Sequence, residues 1–387
     1  VLYLLLSRCG ASFTDQTGQV DQAQQGSSSL GFESALPTET PTLAALPTAT
    51  PRPRNTAAVS AKPSSWLVML YQDADDKVLE KDIYVDLNEA ERVGSTDQVH
   101  IVSQIDRYAG GTTEDGNWTG SRRYYVTQDQ DLNRIGSQLV DDLGEVNMAD
   151  GATLVDFVTW AIQTYPADRL VLILSDHGMG WPGGWSDPAP STVSERGTAL
   201  AAAAGNQLYL NELDSALGTI RQKAGIDRFE LIGLDACLMG QIEVYSMLSA
   251  HARYAVASEE TEPGLGWAYA GFLQALVDNP AMNGADLSRE IVDRYIVGDE
   301  RILDEAARQE LLRQGSPMSS LFGFSLPSSA QVANQMGRDV TLSAVDLGRM
   351  PGLMSAVNDL CLAMQGGQQQ AVAKARNYAL SFTNVFS

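Results

Sequence analysis

Two short segments of the sequence each carry a residue suited to nucleophilic catalysis. Cys237 follows the apolar run at 229–234, and His177 follows the apolar run at 170–174. Runs of this length and composition indicate buried strands of a parallel sheet, and open α/β sheets bind ligands at the carboxyl ends of such strands. A thiol and an imidazole at equivalent strand ends therefore form a candidate nucleophile and acid/base pair.

The other cysteines and histidines are less suited to this chemistry. Cys361 lies on an apolar helix stripe, which predicts a core position, and Cys9 lies outside the predicted fold. His100 opens a strand and is predicted to be half-buried and structural, whereas His251 ends a helix and is predicted to lie on the surface. A lone His or Cys after a strand is more often structural, so the catalytic interpretation depends on the two matched strand ends.

The residue types indicate how the work would be divided. The Cys237 thiolate attacks a carbonyl carbon, and protonated His177 donates its proton to the leaving amine before it assists water in attacking the thioester. The backbone N–H groups of Gly178 and Cys237 are candidates for an oxyanion hole. A helical pattern begins at Leu238, so we expect Cys237 near a helix N-terminus, which favours the thiolate.

Acidic residues accompany the nucleophile. Asp235 lies two residues before Cys237 and therefore on the same side of an extended chain. A carboxylate in that position suits a pocket for a positively charged side chain, and Glu259 and Glu260, at the end of the next predicted strand, would add to its charge. The alternative for Asp235 is to cap the helix that follows.

No metal motif stands out in the sequence. It has neither the spacing of an EF-hand loop, nor Cys-x-x-Cys, nor His-Glu-x-x-His. Asp73, Asp75 and Asp76 are close enough in sequence to bind a cation, but we interpret them as a solvated acidic loop after the first strand.

The whole chain has 387 residues, a formal net charge of −22 and 44% hydrophobic residues. No apolar run approaches the roughly 18 residues of a membrane span, so the composition is typical of a globular protein. The negative charge disfavours nucleic acid as a partner and would weakly attract basic substrates. Three cysteines cannot form a disulfide framework, so Cys237 is predicted to be a thiol.

The first 65 residues differ from the rest. Residues 1–9 are similar to the end of a signal peptide, and their last four residues resemble a lipoprotein cleavage box with Cys9 as the lipidated residue. Arg8 stands where a small residue is expected, so a disordered, non-native start is the alternative. Residues 10–65 are rich in Pro, Thr and Ser and are predicted to be a disordered tether between a cell envelope and a folded domain.

From Trp66 onward, strands alternate with helices, which predicts an α/β fold with a mostly parallel sheet covered on both faces. Strands are predicted at 66–71, 99–105, 122–126, 170–174, 229–234, 253–257, 321–325 and 341–345. Helices are predicted at 78–92, 150–165, 208–223, 267–277, 285–297, 300–313, 350–364 and 372–380. A long loop, functional or disordered, is predicted at 179–207.

Five segments resemble the clostripain family of cysteine peptidases (C11). They are YQDADDKVLE (71–80), LILSDHGMGW (172–181), LDACLMGQIEVY (234–245), VASEETEPGLGW (256–267) and TLSAVDL (341–347). The resemblance implies a caspase-like αβα sandwich with a mostly parallel central sheet, and endopeptidase activity after Arg or Lys. It also implies that His177 and Cys237 are the catalytic dyad and that Asp235 helps to recognise the basic side chain.

The resemblance adds expectations about activation and location. Family members are often activated by cleavage between the His and the Cys, and Arg196 is the basic residue of that interval that lies in the long loop, so we predict self-cleavage after Arg196. Some members need calcium, which the sequence neither requires nor excludes here. We expect a peptidase domain over 66–387, with an insertion at about 298–339 and a further strand beyond Ser387. The location would be extracytoplasmic, either envelope-anchored or secreted.

Two other functions stay open at the level of sequence. One is a catalytically silent, surface-binding lipoprotein on the same scaffold. The other is a cysteine hydrolase or transferase that acts on a non-peptide amide or ester. A preference for basic peptides would distinguish a peptidase from this alternative. The sequence does not specify the oligomeric state.

Overall fold

The computed structural model describes residues 65–113, 115–187, 206–315, 326–338 and 340–377. Its strands are β1 (Trp66–Ala74), β2 (Val99–Arg107), β3 (Gly120–Tyr125), β4 (Gln138–Gly144), β5 (Arg169–Ser175), β6 (Gly183–Ser186), β7 (Gln207–Tyr209), β8 (Phe229–Asp235), β9 (Ala252–Ser258) and β10 (Leu342–Asp346). The strand predicted at 321–325, the tether and the cleavage-box cysteine lie outside the described residues.

The helices of the described ranges follow the predicted pattern except at 329–336, where none was predicted, and at 300–313, where two helices replace the predicted one. They are α1 (Glu80–Val93), α2 (Gly151–Thr164), α3 (Leu210–Ala224), α4 (Ile242–Leu248), α5 (Tyr269–Asp278), α6 (Gly284–Arg294), α7 (Glu300–Leu303), α8 (Glu305–Gly315), α9 (Ser329–Met336), α10 (Met350–Gly366) and α11 (Gln369–Asn377). None of these helices combines the length and the apolar character that crossing a bilayer requires.

Eight strands form one sheet in the order β10-β9-β8-β5-β1-β2-β3-β4. The five strands from β9 to β2 pair in parallel, and the outer strands β10, β3 and β4 pair antiparallel. Every residue of β1 is buried, as expected for a strand in the middle of a sheet that is covered on both faces. The predicted mostly parallel α/β sheet is confirmed.

Two hydrophobic cores lie on opposite faces of this sheet. Because side chains alternate along a strand, Val68 and Leu70 of β1 join the core under α1, α5 and α6, whereas Leu67 and Met69 join the core under α2, α3 and α4. The αβα sandwich is therefore confirmed. Its parallel strands all direct their carboxyl ends to one edge of the sheet, where the predicted catalytic residues lie.

Two predictions about local structure are wrong. The helix after Cys237 begins at Ile242 rather than at Leu238, because Leu238 has a φ of 65°, outside the helical region. The predicted loop at 179–207 contains the two short strands β6 and β7, which pair antiparallel near its ends. β6 begins with Gly183 and Gly184. Because glycine has a low strand propensity, the sequence pattern does not predict a strand there.

Two predictions about side-chain environment are also wrong. His251 is buried, and its Nε2 lies 2.6 Å from Oδ1 of Asp214 on α3. Cys361 is exposed, since α10 turns its apolar residues away from the described core. His100 is half-buried as predicted, with its Nδ1 3.0 Å from the hydroxyl of Tyr125.

Candidate active site

The pairing of β5 with β8 brings the two candidate catalytic residues to one place. Ser175 at the end of β5 is the register partner of Asp235 at the end of β8. His177 and Cys237 each follow two residues later, so they leave the sheet edge side by side. The equivalence of the two strand ends, which the sequence indicated, is thus a direct neighbour relationship in the fold.

Gly178 lies against the backbone of the nucleophile segment. A Cβ atom at Gly178 would overlap the carbonyl oxygen of Cys237 and would lie 3.1 Å from Cβ of Ala236. Gly178 also forms a single antiparallel bridge with Gly184. That bridge uses the carbonyl oxygen of His177 and the N–H of Met179, and its pattern directs the Gly178 N–H away from Gly184.

A turn, rather than a helix N-terminus, positions Cys237. The side chain is buried, with 2% of its surface exposed, and its Sγ accepts a hydrogen bond of 3.2 Å from the N–H of Glu262. The next residue, Leu238, donates its N–H to the carbonyl oxygen of Glu260 at 3.0 Å. Because α4 begins only at Ile242, stabilisation of the thiolate by a helix dipole does not apply, since that effect is confined to the first turn.

Only the thiolate of Cys237 is a nucleophile, so any reaction at this residue requires the reduced protein.

Asp76 is the partner of the candidate acid/base. Its Oδ1 lies 3.4 Å from Nε2 of His177 and accepts the N–H groups of Val78 and Leu79 at 2.7 and 2.8 Å. Burial lowers the pKa of His177, but the hydrogen bond to Asp76 and the charge of Asp176 outweigh burial, and the net pKa is raised. The arrangement thus favours the imidazolium that a general acid requires.

Sequence reasoning missed the role of Asp76 because it grouped this residue with a solvated loop. That interpretation is wrong for the neighbouring residues too, since Asp73 and Asp75 are 0% and 4% exposed. The signal that was available is the acidic run directly after a buried strand, at the same sheet edge as His177.

A small acidic cavity of about 30 Å³ borders Cys237. Four carboxyl groups line it, those of Asp86 on α1, Asp176 after β5, Asp235 on β8 and Glu262. Burial raises the pKa of all four. Oδ2 of Asp235 accepts a hydrogen bond of 2.7 Å from the hydroxyl of Tyr269, and its carboxyl group also interacts with that of Glu262.

The second predicted pocket residue, Glu259, is half-buried at the end of β9. The carboxylate that lines the cavity is that of Glu262, three residues further on. Helix capping, the alternative for Asp235, does not occur, because α4 begins seven residues after Asp235 and has no side-chain cap.

Arg301 at the start of α7 balances part of this negative charge. Its guanidinium lies 2.8 Å from Oδ1 of Asp86 and 2.9 Å from Oδ2 of Asp299. Asp82 and Glu89 on α1 are within 4 Å of it. Arg301 was missed because nothing in the local sequence links it to Asp86, which lies 215 residues earlier.

Two predicted site residues, Arg196 and Cys9, lie outside the described ranges.

The chain is similar to known proteins over this part of the fold. The sequence model of the clostripain family matches residues 70–312. Clostripain of Hathewaya histolytica is 28% identical over 198 residues, which are 46% of this chain and 34% of that protein. The match therefore spans about a third of the length of that relative.

Two solved structures are also similar. One is a secreted C11 cysteine protease from Bacteroides thetaiotaomicron in complex with an irreversible peptide inhibitor, with 22% identity and a TM-score of 0.49 over 76% of this chain and 69% of that one. The other is an inactive zymogen C11 protease from Parabacteroides distasonis, with 18% identity and a TM-score of 0.44 over 62% of this chain and 60% of that one.

Proposed function

The chain belongs to the clostripain family of cysteine peptidases, and from this premise we propose that it hydrolyses peptide bonds through Cys237 and His177. The observation that carries the proposal is the register of β5 and β8, which sets the two residues side by side at one sheet edge. The contact between His177 and Asp76 supports it further, because it fixes the imidazole and stabilises its protonated form.

The proposed reaction has two halves. The Cys237 thiolate attacks the carbonyl carbon of the scissile bond, and the oxyanion accepts hydrogen bonds from the N–H groups of Gly178 and Cys237. The His177 imidazolium protonates the leaving nitrogen, the C–N bond breaks and a thioester remains. The neutral imidazole then takes a proton from water, which attacks the thioester, releases the carboxylate product and restores the thiolate.

We further propose that the enzyme cleaves after Arg or Lys. The cavity beside Cys237 carries the carboxyl groups of Asp86, Asp235 and Glu262, and Arg301 contacts the first of them directly. A basic side chain that enters would form charge-assisted hydrogen bonds with carboxylates in a buried setting. An acidic side chain would meet repulsion there.

The size of the cavity supports a latent form. About 30 Å³ holds roughly one water molecule, which is far too little for an arginine side chain. We therefore propose that cleavage after Arg196 precedes activity and opens this cavity. Intact-mass analysis of purified wild type and of Arg196→Gln tests the step. We expect two fragments from wild type and one intact chain from the variant. A single uncut chain with full activity would refute it.

The main test is hydrolysis of a short fluorogenic peptide with Arg at the cleaved position. Wild type and Cys237→Ala are compared with and without reductant, and a matched Asp peptide serves as control. We expect activity only in reduced wild type and only on the Arg peptide. Asp235→Asn should lower kcat/KM for the Arg peptide by at least about tenfold, since a buried charged hydrogen bond is lost. Equal cleavage of the Arg and Asp peptides would contradict the specificity.

A catalytically silent binding protein is the second candidate, and the burial of Cys237, of which 2% is exposed, favours it. The hydrolysis assay distinguishes the two candidates when it is run on reduced protein that has been cleaved within residues 188–205. Absence of hydrolysis by that form, with the fold intact, would establish the silent protein.

We propose an extracytoplasmic location, because residues 1–9 are similar to the end of a signal peptide. Attachment to a membrane would occur through a lipid on Cys9. Phase partitioning of the expressed protein into detergent, compared with Cys9→Ser, tests the anchor. Equal partitioning of the two forms would contradict the lipid anchor and would favour a secreted protein.

A further inference from the structure

The short strand β6 holds the segment that carries His177. The N–H of Trp185 donates to the carbonyl oxygen of His177 at 2.9 Å, and the N–H of Ser186 donates to Oδ2 of Asp176 at 2.6 Å. A Cβ atom at Gly184 would lie 2.5 Å from the same carbonyl oxygen of His177, so the two segments are in direct contact. The backbone from which the imidazole projects is therefore fixed by β6.

Trp185 is the extra residue of a β-bulge. Gly184 pairs with Leu208 and Ser186 pairs with Gln207, and the register shifts between these two pairs. A bulge leaves its extra residue out of the ladder and re-aims it, and bulges are common beside active sites. The N–H of Trp185 consequently faces His177 instead of β7.

The backbone of Trp185 is strained. Its φ of 54° lies in the left-handed region, which is unfavourable for a bulky residue, and the bulge type with a left-handed residue normally has glycine there. In the described ranges, two other residues that are not glycine have a positive φ, and one of them, Leu238, directly follows Cys237. Strain of this kind persists only where the surrounding structure imposes it, and it concentrates at functional sites.

The side chain of Trp185 explains why glycine does not occupy this position. The indole is 0% exposed and belongs to the core under α2, α3 and α4, together with Leu208 and Leu213. Its Nε1–H is buried and has no hydrogen-bond partner in the described part of the chain, so the polar atom contributes nothing favourable. The position therefore requires the ring itself, which anchors β6 to the body of the sandwich.

We propose that Trp185 is a positioning residue for His177, in which the buried ring anchors the bulge and the bulge aims a backbone N–H at the His177 carbonyl. This inference rests on the proposed function, because Trp185 acts through the imidazole. A fixed β6 keeps Nε2 of His177 within reach of Asp76, at 3.4 Å. A displacement of about 1 Å in a catalytic group costs about 100-fold in rate, so the anchor should affect the rate strongly.

The first test observes His177 directly and needs no peptidase activity. The chain has three histidines, so the imidazole C–H signals of the full-length Cys237→Ala protein can be followed by NMR as a function of pH, and His177→Gln assigns one of them. The charged groups that raise the pKa of His177 are Asp76, in the loop after β1, and Asp176, beside it. The titration of this signal therefore reports whether the imidazole keeps its place.

Two substitutions separate the ring from the backbone. Glycine adopts the left-handed conformation without strain, so Trp185→Gly permits the bulge but removes the anchor. We expect it to lower the pKa of His177, because the contact with Asp76 loosens while burial still opposes the charge. Trp185→Phe keeps a buried ring and should leave the His177 titration as in the parent protein. The signals of His100 and His251 serve as internal references for the rest of the fold.

The same pair of substitutions gives a kinetic result when Cys237 is intact. On the Arg peptide, Trp185→Gly should lower kcat about 100-fold and change KM by less than about threefold, because the imidazole is displaced and the substrate contacts remain. The alkaline limb of its kcat profile should move to lower pH, since the imidazolium is the acid. Trp185→Phe should keep kcat within about threefold of wild type.

Three results would overturn the proposal. They are an unchanged His177 titration in Trp185→Gly, a loss of kcat in Trp185→Phe as large as that in Trp185→Gly, and a joint shift of all three histidine signals, which would show a general loosening. If Trp185→Gly does not fold, Trp185→Val decides, because a β-branched residue resists the left-handed region and should lower the pKa of His177 likewise. Inactive wild type would contradict the proposed function alone, since the titration still reports the positioning.

Discussion

At the scale of single residues, the proposed catalysis would depend on two contacts that hold His177 and Cys237 in place. Asp76 contacts the imidazole from one side, and Gly178 permits close approach of the two backbone segments. Neither residue carries out a bond-forming step itself. Both are therefore expected to affect the rate more than the binding of substrate.

Asp76→Asn should lower kcat by at least about tenfold with little change in KM, because a misoriented or less protonated imidazole impairs proton transfer and leaves substrate contacts intact. Steady-state kinetics on the Arg peptide measure this split. Asp131→Asn, at an exposed position of another acidic loop, is the control. An increase in KM alone would assign Asp76 to substrate binding instead.

Gly178→Ala should reduce kcat/KM by about 100-fold, because the added methyl group must displace the Cys237 carbonyl and a shift of about 1 Å in a catalytic group has such an effect. Gly352→Ala has open space around the position and should keep full activity. The same fluorogenic assay serves both variants. Full activity of Gly178→Ala would show that the two segments separate in the working enzyme.

At the scale of elements, α1 links the site to the sheet edge and carries an unusual number of buried acids. One of them, Glu91, accepts the N–H of Ser137 at 2.7 Å and that of Gly136 at 3.3 Å. Burial nevertheless raises the pKa of Glu91 to about 7. The folded protein therefore binds this proton more tightly than the unfolded chain does.

The sign of the resulting pH dependence follows from linkage. Between the ordinary pKa of 4.5 and about 7, the folded state holds a proton that the unfolded state has lost, so the free energy of unfolding falls as pH rises through this window. The fall amounts to roughly 3 kcal/mol. Glu91→Gln should remove it and thus gain stability relative to wild type from pH 5 to pH 8.

Urea unfolding at those two pH values, with the exposed Glu243→Gln as control, measures the difference. Parallel pH profiles of wild type and Glu91→Gln would mean that Glu91 is ionised in the folded protein at both values.

At the scale of the whole molecule, Arg301 joins the helices after residue 299 to α1 and to the acidic cavity. Arg301→Gln leaves Asp86 and Asp299 as buried charges without their cation, which should lower the free energy of unfolding by about 3–5 kcal/mol. Arg289→Gln, which breaks an exposed pair with Asp286, should cost less than about 1 kcal/mol. Urea unfolding compares the two. Equal, small effects would show that the acids near Arg301 are protonated.

The sequence by itself predicted the buried parallel strands and most of the helices, and it indicated which residues could react. Burial on both sides of β1, β5 and β8 imposes continuous apolar runs, and a cysteine and a histidine that end such runs are visible without a structure. Five segments identify the family for the same reason: each is a local string of residues.

Only the tertiary structure decided which of these segments meet. Sheet order makes β5 and β8 neighbours and so sets His177 beside Cys237, and it buries an acidic run that the sequence presented as a solvated loop. Arg301 reaches Asp86 across 215 residues. Periodicity reports how each element is buried, whereas contacts between distant elements arise from packing, which no local pattern encodes.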